Sequence, residues 1–209
     1  MIPVKVLAVR YLANASAAMC AALGVPEGYP SLAMITTDSD DPTYIALDEG
    51  TKAADVKVCY ARSFYAGSAN ASTPNAGEVI GILAGATPGA VRSGMEAAIS
   101  ALSRVGFEEV GGVPYLAHTV SSVGSYLAKE AGVRQGSAVA YLIAPPLESM
   151  YALDGALKAA DVKLCKLYSP PSETNFGGGL LSGTQSACDA ACAAFVQAVR
   201  EVAARPLEG

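Results

Sequence analysis

The stretch "ALDEGTKAADVKVC" at residues 46–59 returns as "ALDGALKAADVKLC" at 152–165, an offset of 106 residues (152 − 46). The two match except where Glu49, Gly50, Thr51 and Val58 stand against Gly155, Ala156, Leu157 and Leu164. Each copy has an apolar helix stripe, Leu47–Thr51–Ala54 or Leu153–Leu157–Ala160, followed by period-two alternation. The phrase is therefore a helix running into a strand, written twice. A whole-unit duplication in a chain of 209 residues gives two units near the usual size of a small domain.

Working outward, the same order of elements surrounds both copies. The first half reads as a strand from Val4 to Val9 and a helix over 15–23 capped by Asn14. A strand over 31–37, a helix over 43–54 and a strand over 55–61 follow. Val56, Val58 and Tyr60 share one strand face, and Ala53, Ala54, Ala159 and Ala160 let the helices lie close to their sheets. After a loop at 62–77 comes the buried strand "EVIGILAG" and a helix opening at Pro88 with Thr87 as cap. The second half repeats this with strands over 115–121 and 137–144, the phrase itself, a loop at 169–178, the strand "GLLSG" and a helix over 185–202. A hinge at 106–112 divides the chain into domains at 1–106 and 113–209.

Composition narrows the function. The net charge is −5 and no Lys/Arg cluster occurs, which argues against nucleic acid as a partner. Charged residues are only 16% against 52% hydrophobic, so apolar surface is expected to be buried between subunits. The longest apolar run, "VIGILAGA" at 79–86, is too short for a membrane span, and the N-terminus reads as strand then helix rather than as a signal peptide. Five cysteines without a CxxC pair fit a reducing compartment.

Catalytic patterns are missing: no GxSxG, no GxxxxGK[ST] and no GxGxxG. "GGGLLSG" lacks the lysine of a phosphate loop. His118 stands alone in a strand, and Cys188 and Cys192, among alanines, read as core. The polar cluster that stands out is "TTDSDDP" at 36–42. Its carboxylates either cap the following helix or form an anionic pocket for a small cation, coordinating a divalent metal or accepting hydrogen bonds from an organic ammonium. The second copy has "LIAPPLES" there, so the acids belong to one copy alone, and Glu78 after the long loop is positioned to join them.

The strings "TDSDDPTYIALDEGTKAADVKVCYARS", "YAGSANASTPNAGEVIGILAG", "GSYLAKEAG", "AYLIAPPLESMYALDGALKAADVKL" and "PPSETNF" resemble the bacterial microcompartment shell proteins, most closely those of the ethanolamine-utilisation L type, over nearly the whole chain. The resemblance implies an α/β (α+β) fold of two tandem, circularly permuted shell domains, each a mostly antiparallel sheet flanked by helices. It implies a structural protein and not an enzyme, a homotrimer forming a pseudohexamer with a gated central pore, other shell proteins as partners, and a cytoplasmic microcompartment as location. No cofactor is expected. It further implies ethanolamine binding by Asp40, Asp41 and Glu78 with Phe107, Thr174, Asn175 and Phe176, and a tiling edge at Lys52 and Lys158. Tyr65 is the expected plug of the pore. The rival reading is a trimeric ferredoxin-like regulator that senses a small molecule; a metal-dependent enzyme centred on "DSDD" is a further alternative.

Overall fold

The computed structural model describes residues 1–64, 77–170 and 174–207. They divide into two compact units: Pro3–Gly106 with Gly124–Leu127, and Met1–Ile2 with Phe107–Val123 and Ala128–Gly209.

The first unit runs β1 (Val6–Leu12), α1 (Ala17–Ala22), β2 (Ser31–Thr37), α2 (Asp40–Ala53), β3 (Val56–Ser63), β4 (Val79–Gly85) and α3 (Pro88–Ala101). Its antiparallel sheet has the order β1-β2-β4-β3. Two helices bury their stripes on one face of it, with Leu47, Leu83, Val91 and Met95 at the centre of the core. A Cβ on Gly50 would lie 2.6 Å from the Gly94 carbonyl oxygen, so α2 and α3 meet backbone to backbone. The expectation for Ala53 and Ala159 is corrected here: both are exposed, because they fall beside the lysines on the outward side of their helices. Ser16, not Asn14, caps α1; its hydroxyl accepts the Met19 N–H. Thr87 caps α3 as expected.

The second unit contains β5 (Glu108–Val110), β6 (Val113–Val120), α4 (Ser125–Ala131, whose first three residues belong to the first unit), β7 (Ala138–Ala144), α5 (Pro146–Ala159), β8 (Val162–Tyr168), β9 (Gly177–Gly183) and α6 (Gln185–Ala204). Its sheet has the order β5-β6-β7-β9-β8, antiparallel throughout. Helices α5 and α6 cover it over Leu142, Leu153, Leu181, Cys188 and Phe195. Cys188 is fully buried, and Cys192 packs against this cluster with its sulfur 3.4 Å from the Thr119 hydroxyl. The segment 106–112 enters a β5–β6 hairpin. Gly111 and Gly112 take φ of +57° and +82° at its turn, a conformation glycine adopts without steric cost.

Both copies of the repeated strand carry the same irregularity. A bulge lies between Val58 and Tyr60 in β3 and between Leu164 and Lys166 in β8. The extra residue is the repeated cysteine, Cys59 or Cys165. An inserted residue reverses the alternation beyond it. Tyr60 therefore leaves the face of Val56 and Val58 and is exposed, while Ala61 takes the inward place, contrary to the period-two expectation.

Candidate functional site

Three strand ends gather at one end of the first unit's sheet. The pairing of Thr37 with Val79 sets the turn after β2 beside Glu78, and the pairing of Ser63 with Val79 brings the end of β3 to the same place. The Glu78 N–H donates to the Thr37 carbonyl (2.8 Å) and the Phe64 N–H to the Glu78 carbonyl (2.9 Å). Gly77 is required just before Glu78, because a Cβ there would collide with the Thr37 carbonyl. Buried hydroxyls brace the turn: Thr37 and Thr43 share a 2.7 Å hydrogen bond, and each hydroxyl reaches the Ser39 carbonyl.

The acids divide by role. Asp38 is exposed and ties the turn to β1, its Oδ1 accepting the Lys5 N–H at 2.7 Å. Ser39 occupies the N-cap position of α2 without a side-chain capping bond. Asp40 accepts the Asp41 N–H (2.9 Å), so the capping reading holds for that one amide. Asp40 and Asp41 are nonetheless buried, 5% and 7% exposed. Burial raises the Asp40 pKa against hydrogen bonds from Ser63 and the Asp41 amide that lower it. Glu78 is raised by burial and then by the charges of Asp40 and Asp38. Carboxylates that interact in poor solvent favour a positive charge beside them. Among the described residues no group of His, Cys, Asp and Glu is arranged to hold a metal ion. An ammonium, with its three N–H donors, suits scattered carboxylate acceptors.

The other expected contacts lie in the second unit. The rings of Phe107 and Phe176 meet edge to face with centroids 5.5 Å apart. Thr174 and Asn175 precede Phe176, and Asn175 takes the left-handed φ of +62° that turns the chain into β9. Lys52 and Lys158 sit in the last turns of α2 and α5. Lys52 pairs with Glu49, and Lys158 with Asp154 at 2.6 Å in full solvent contact. Tyr65 lies outside the described residues.

Sequence reasoning missed Asp48, which is completely buried. Its Oδ2 accepts the Gly124 N–H (2.6 Å) and its Oδ1 the Leu127 N–H (2.8 Å), while the Thr51 hydroxyl accepts the Ser125 N–H (3.0 Å). The available signal was an aspartate kept in both copies amid an apolar helix. Ser63, the hydrogen-bond partner of Asp40, gave none.

Residues 31–113 match the family model described as the BMC domain. The shell protein EutL of Clostridium perfringens (strain 13 / Type A) is 57% identical over 97% of this chain and 95% of its own length. EutL of Escherichia coli K12 is 46% identical over 98% and 95%. The crystal structure of the ethanolamine utilization protein EutL from Leptotrichia buccalis superposes with a TM-score of 0.96 at 54% identity, covering 100% of this chain and 98% of that one. The resemblance seen in the repeated phrase and the mixed fold of two helix-flanked sheets are both borne out. The chain belongs to the EutL family of bacterial microcompartment shell proteins.

Proposed function

We propose that this chain is a structural component of the shell of an ethanolamine-utilisation microcompartment, assembled as a homotrimeric pseudohexamer around a gated pore, and that it binds ethanolamine at Asp40, Asp41 and Glu78. The observation that carries the ligand is the pair of buried neighbouring carboxylates at the start of α2, with Glu78 held beside them by backbone hydrogen bonds. An ammonium at this point offsets the burial that raises Asp40 and the burial and like charge that raise Glu78, and its hydrogen bonds are charge-assisted. Phe107, Thr174, Asn175 and Phe176 remain a second candidate contact group. The loops at 62–77 and 169–178, rich in Gly, Ser, Pro and Asn, are the candidate gate, with Tyr65 as its plug. Bound ligand shifts such a gate only by its preference for one state.

Calorimetry tests the carboxylate site. Asp40→Asn is expected to weaken ethanolamine binding about tenfold or more, the value of one charge-assisted hydrogen bond. The raised carboxylates add a pH signature. Protons and ammonium compete for the same oxygens, so affinity falls as pH drops through their titration, and binding releases protons. Equal heats for Asp40→Asn and the unmodified chain, with no proton release, remove the site.

The tiling edge is tested by electron microscopy. Lys158→Asp is expected to abolish extended layers while oligomers persist, because it replaces an exposed cation by an anion beside Asp154. Discrete oligomers from the unmodified chain, with no layers under any condition, would favour the sensing regulator.

A further inference from the structure

Asp40 and Tyr44 stand four residues apart on α2, so their side chains lie on one face of the helix. Ser63, the last residue of β3, reaches that face from the sheet. Its hydroxyl shares one hydrogen bond with the Tyr44 hydroxyl and another with the Asp40 carboxyl. Tyr44 is fixed at the far end of this chain of polar groups. Its ring packs on the core of the first unit and lies 6.1 Å from the ring of Tyr126. Tyr126 is held in turn, since the amides of Gly124 and Leu127 on either side of it donate to Asp48.

The directions of these bonds follow from what each group can donate. An ionised carboxylate only accepts, and serine and tyrosine carry one O–H each. With Asp40 ionised, the Ser63 proton goes to Asp40 and the Tyr44 proton goes to Ser63 Oγ. Each bond polarises the next, so Tyr44 acts on Asp40 through Ser63. The Ser63 bond favours the charged carboxylate against the burial that disfavours it. Together with the Asp41 N–H, which donates to Asp40 Oδ1 at 2.9 Å, it also restrains the carboxylate from turning. The duplication sets this device apart. At the offset of 106, Asp40, Tyr44 and Ser63 correspond to Pro146, Met150 and Ser169. The serine is present in both copies, but the carboxylate and the phenol occur together in one copy and are absent together from the other. Ser169 is exposed, whereas Ser63 is half-buried between its two partners.

We propose that Ser63, held by Tyr44, is a positioning residue of the ammonium site: it orients the Asp40 carboxylate and leaves that group's remaining lone pairs to an ammonium, without touching the ligand itself. This rests on the ethanolamine reading above and names the residues that prepare its site. The charges around Asp40 show why a neutral donor suits this place. Asp41 on the same helix, Asp38 in the turn after β2 and Glu78 before β4 are all acids. On β3 the neighbouring Arg62 places its guanidinium over the Tyr60 ring, 5.9 Å from the centroid. A lysine or arginine at position 63 would neutralise Asp40 and compete with the ligand. Two hydroxyls in series favour the charged carboxylate yet supply no positive charge, so the ligand still brings it.

The test is calorimetry with ethanolamine over a pH series, on the full chain and its variants. Ser63→Ala is expected to move the pH at which affinity falls by half upward by about one unit, the equivalent of one hydrogen bond to a charged group, and to weaken binding about tenfold below that pH. Ser63→Thr keeps a hydroxyl and is expected to restore the unmodified midpoint. Tyr44→Phe is expected to move the midpoint the same way by a smaller amount; it removes a single oxygen, so it reads the same relay should Ser63→Ala fail to fold. Ser63→Ala and Tyr44→Phe combined are expected to move the midpoint no further than Ser63→Ala alone, because Tyr44 acts through Ser63. Midpoints that stay in place in Ser63→Ala and Tyr44→Phe, or shifts that simply add in the double variant, overturn the positioning role and leave the carboxylate site standing. An unmodified chain that binds no ethanolamine overturns both.

Discussion

Gly178→Ala is expected to destabilise the second unit by about 3–5 kcal/mol, a large share of a domain's stability. Gly178 lies in β9 between two partners, paired with Ile143 of β7 and Tyr168 of β8. Its φ of +152° belongs to a region nearly closed to residues with a Cβ, which alone costs about 1–3 kcal/mol. A Cβ there would also collide with the Leu142 carbonyl oxygen and lie 2.9 Å from Ile143 Cα. Both are backbone atoms of the neighbouring strand, so no side chain can swing aside; relief requires opening the β7–β9 ladder. The midpoint of thermal unfolding should fall by about 10 °C or more. Gly28→Ala is the control. Its φ is +81° but nothing lies within 4 Å of the added carbon, so about 1 kcal/mol of strain is expected. Equal midpoints for Gly178→Ala and Gly28→Ala would show that the close approach carries no energy.

Asp48→Ala is expected to cost about 2–4 kcal/mol, because it leaves the Gly124 and Leu127 amides buried without acceptors at about 1–3 kcal/mol each. Asp48→Asn keeps one acceptor oxygen and should lose roughly half as much. Asp154→Ala, at the exposed counterpart, should change the unfolding free energy of the dissociated chain by less than about 0.5 kcal/mol. Urea unfolding of the three variants ranks them. Burial raises the Asp48 pKa even against its two amide hydrogen bonds. The folded chain therefore binds more protons than the unfolded one between the ordinary aspartate range and the raised value. Stability contributed by this group falls as pH rises through that window, and Asp48→Asn should flatten the fall. An unchanged pH profile in Asp48→Asn would mean that Asp48 titrates normally in the folded state.

Much of the fold was legible because duplication writes each element twice. The match between residues 46–59 and 152–165 shows helix and strand more clearly than either copy alone, and the cap at Thr87 follows local chemistry. The strand over 31–37 lies where it was expected. What failed did so where a single residue changes register or a short turn changes direction. Cys59 occupies a bulge, and a bulge has no composition of its own; it exists only when a partner strand leaves one residue unpaired. The hairpin strand in "GFEEVGG" was not legible because three-residue strands are too short to show alternation.

At the site, Asp40, Asp41 and Glu78 could be named from residue type, since three acids in a chain so poor in charge demand a reason. The burial of Asp40 and Asp41 and the hydrogen bond of Asp40 with Ser63 could not, because both come from strand ends that lie far apart in the chain.

The sequence by itself determined that this chain is a duplicated helix-and-strand unit with apolar flanks, because periodicity, capping and a repeated phrase are local properties that survive without coordinates; its longer strings carried the resemblance to shell proteins. Only the tertiary structure decided that the aspartate shared by both copies stands in two different environments. Asp48 and Asp154 are the same letter in the same phrase, yet one is sealed beneath backbone amides and the other faces water, because burial depends on what folds against a residue and not on the residue itself.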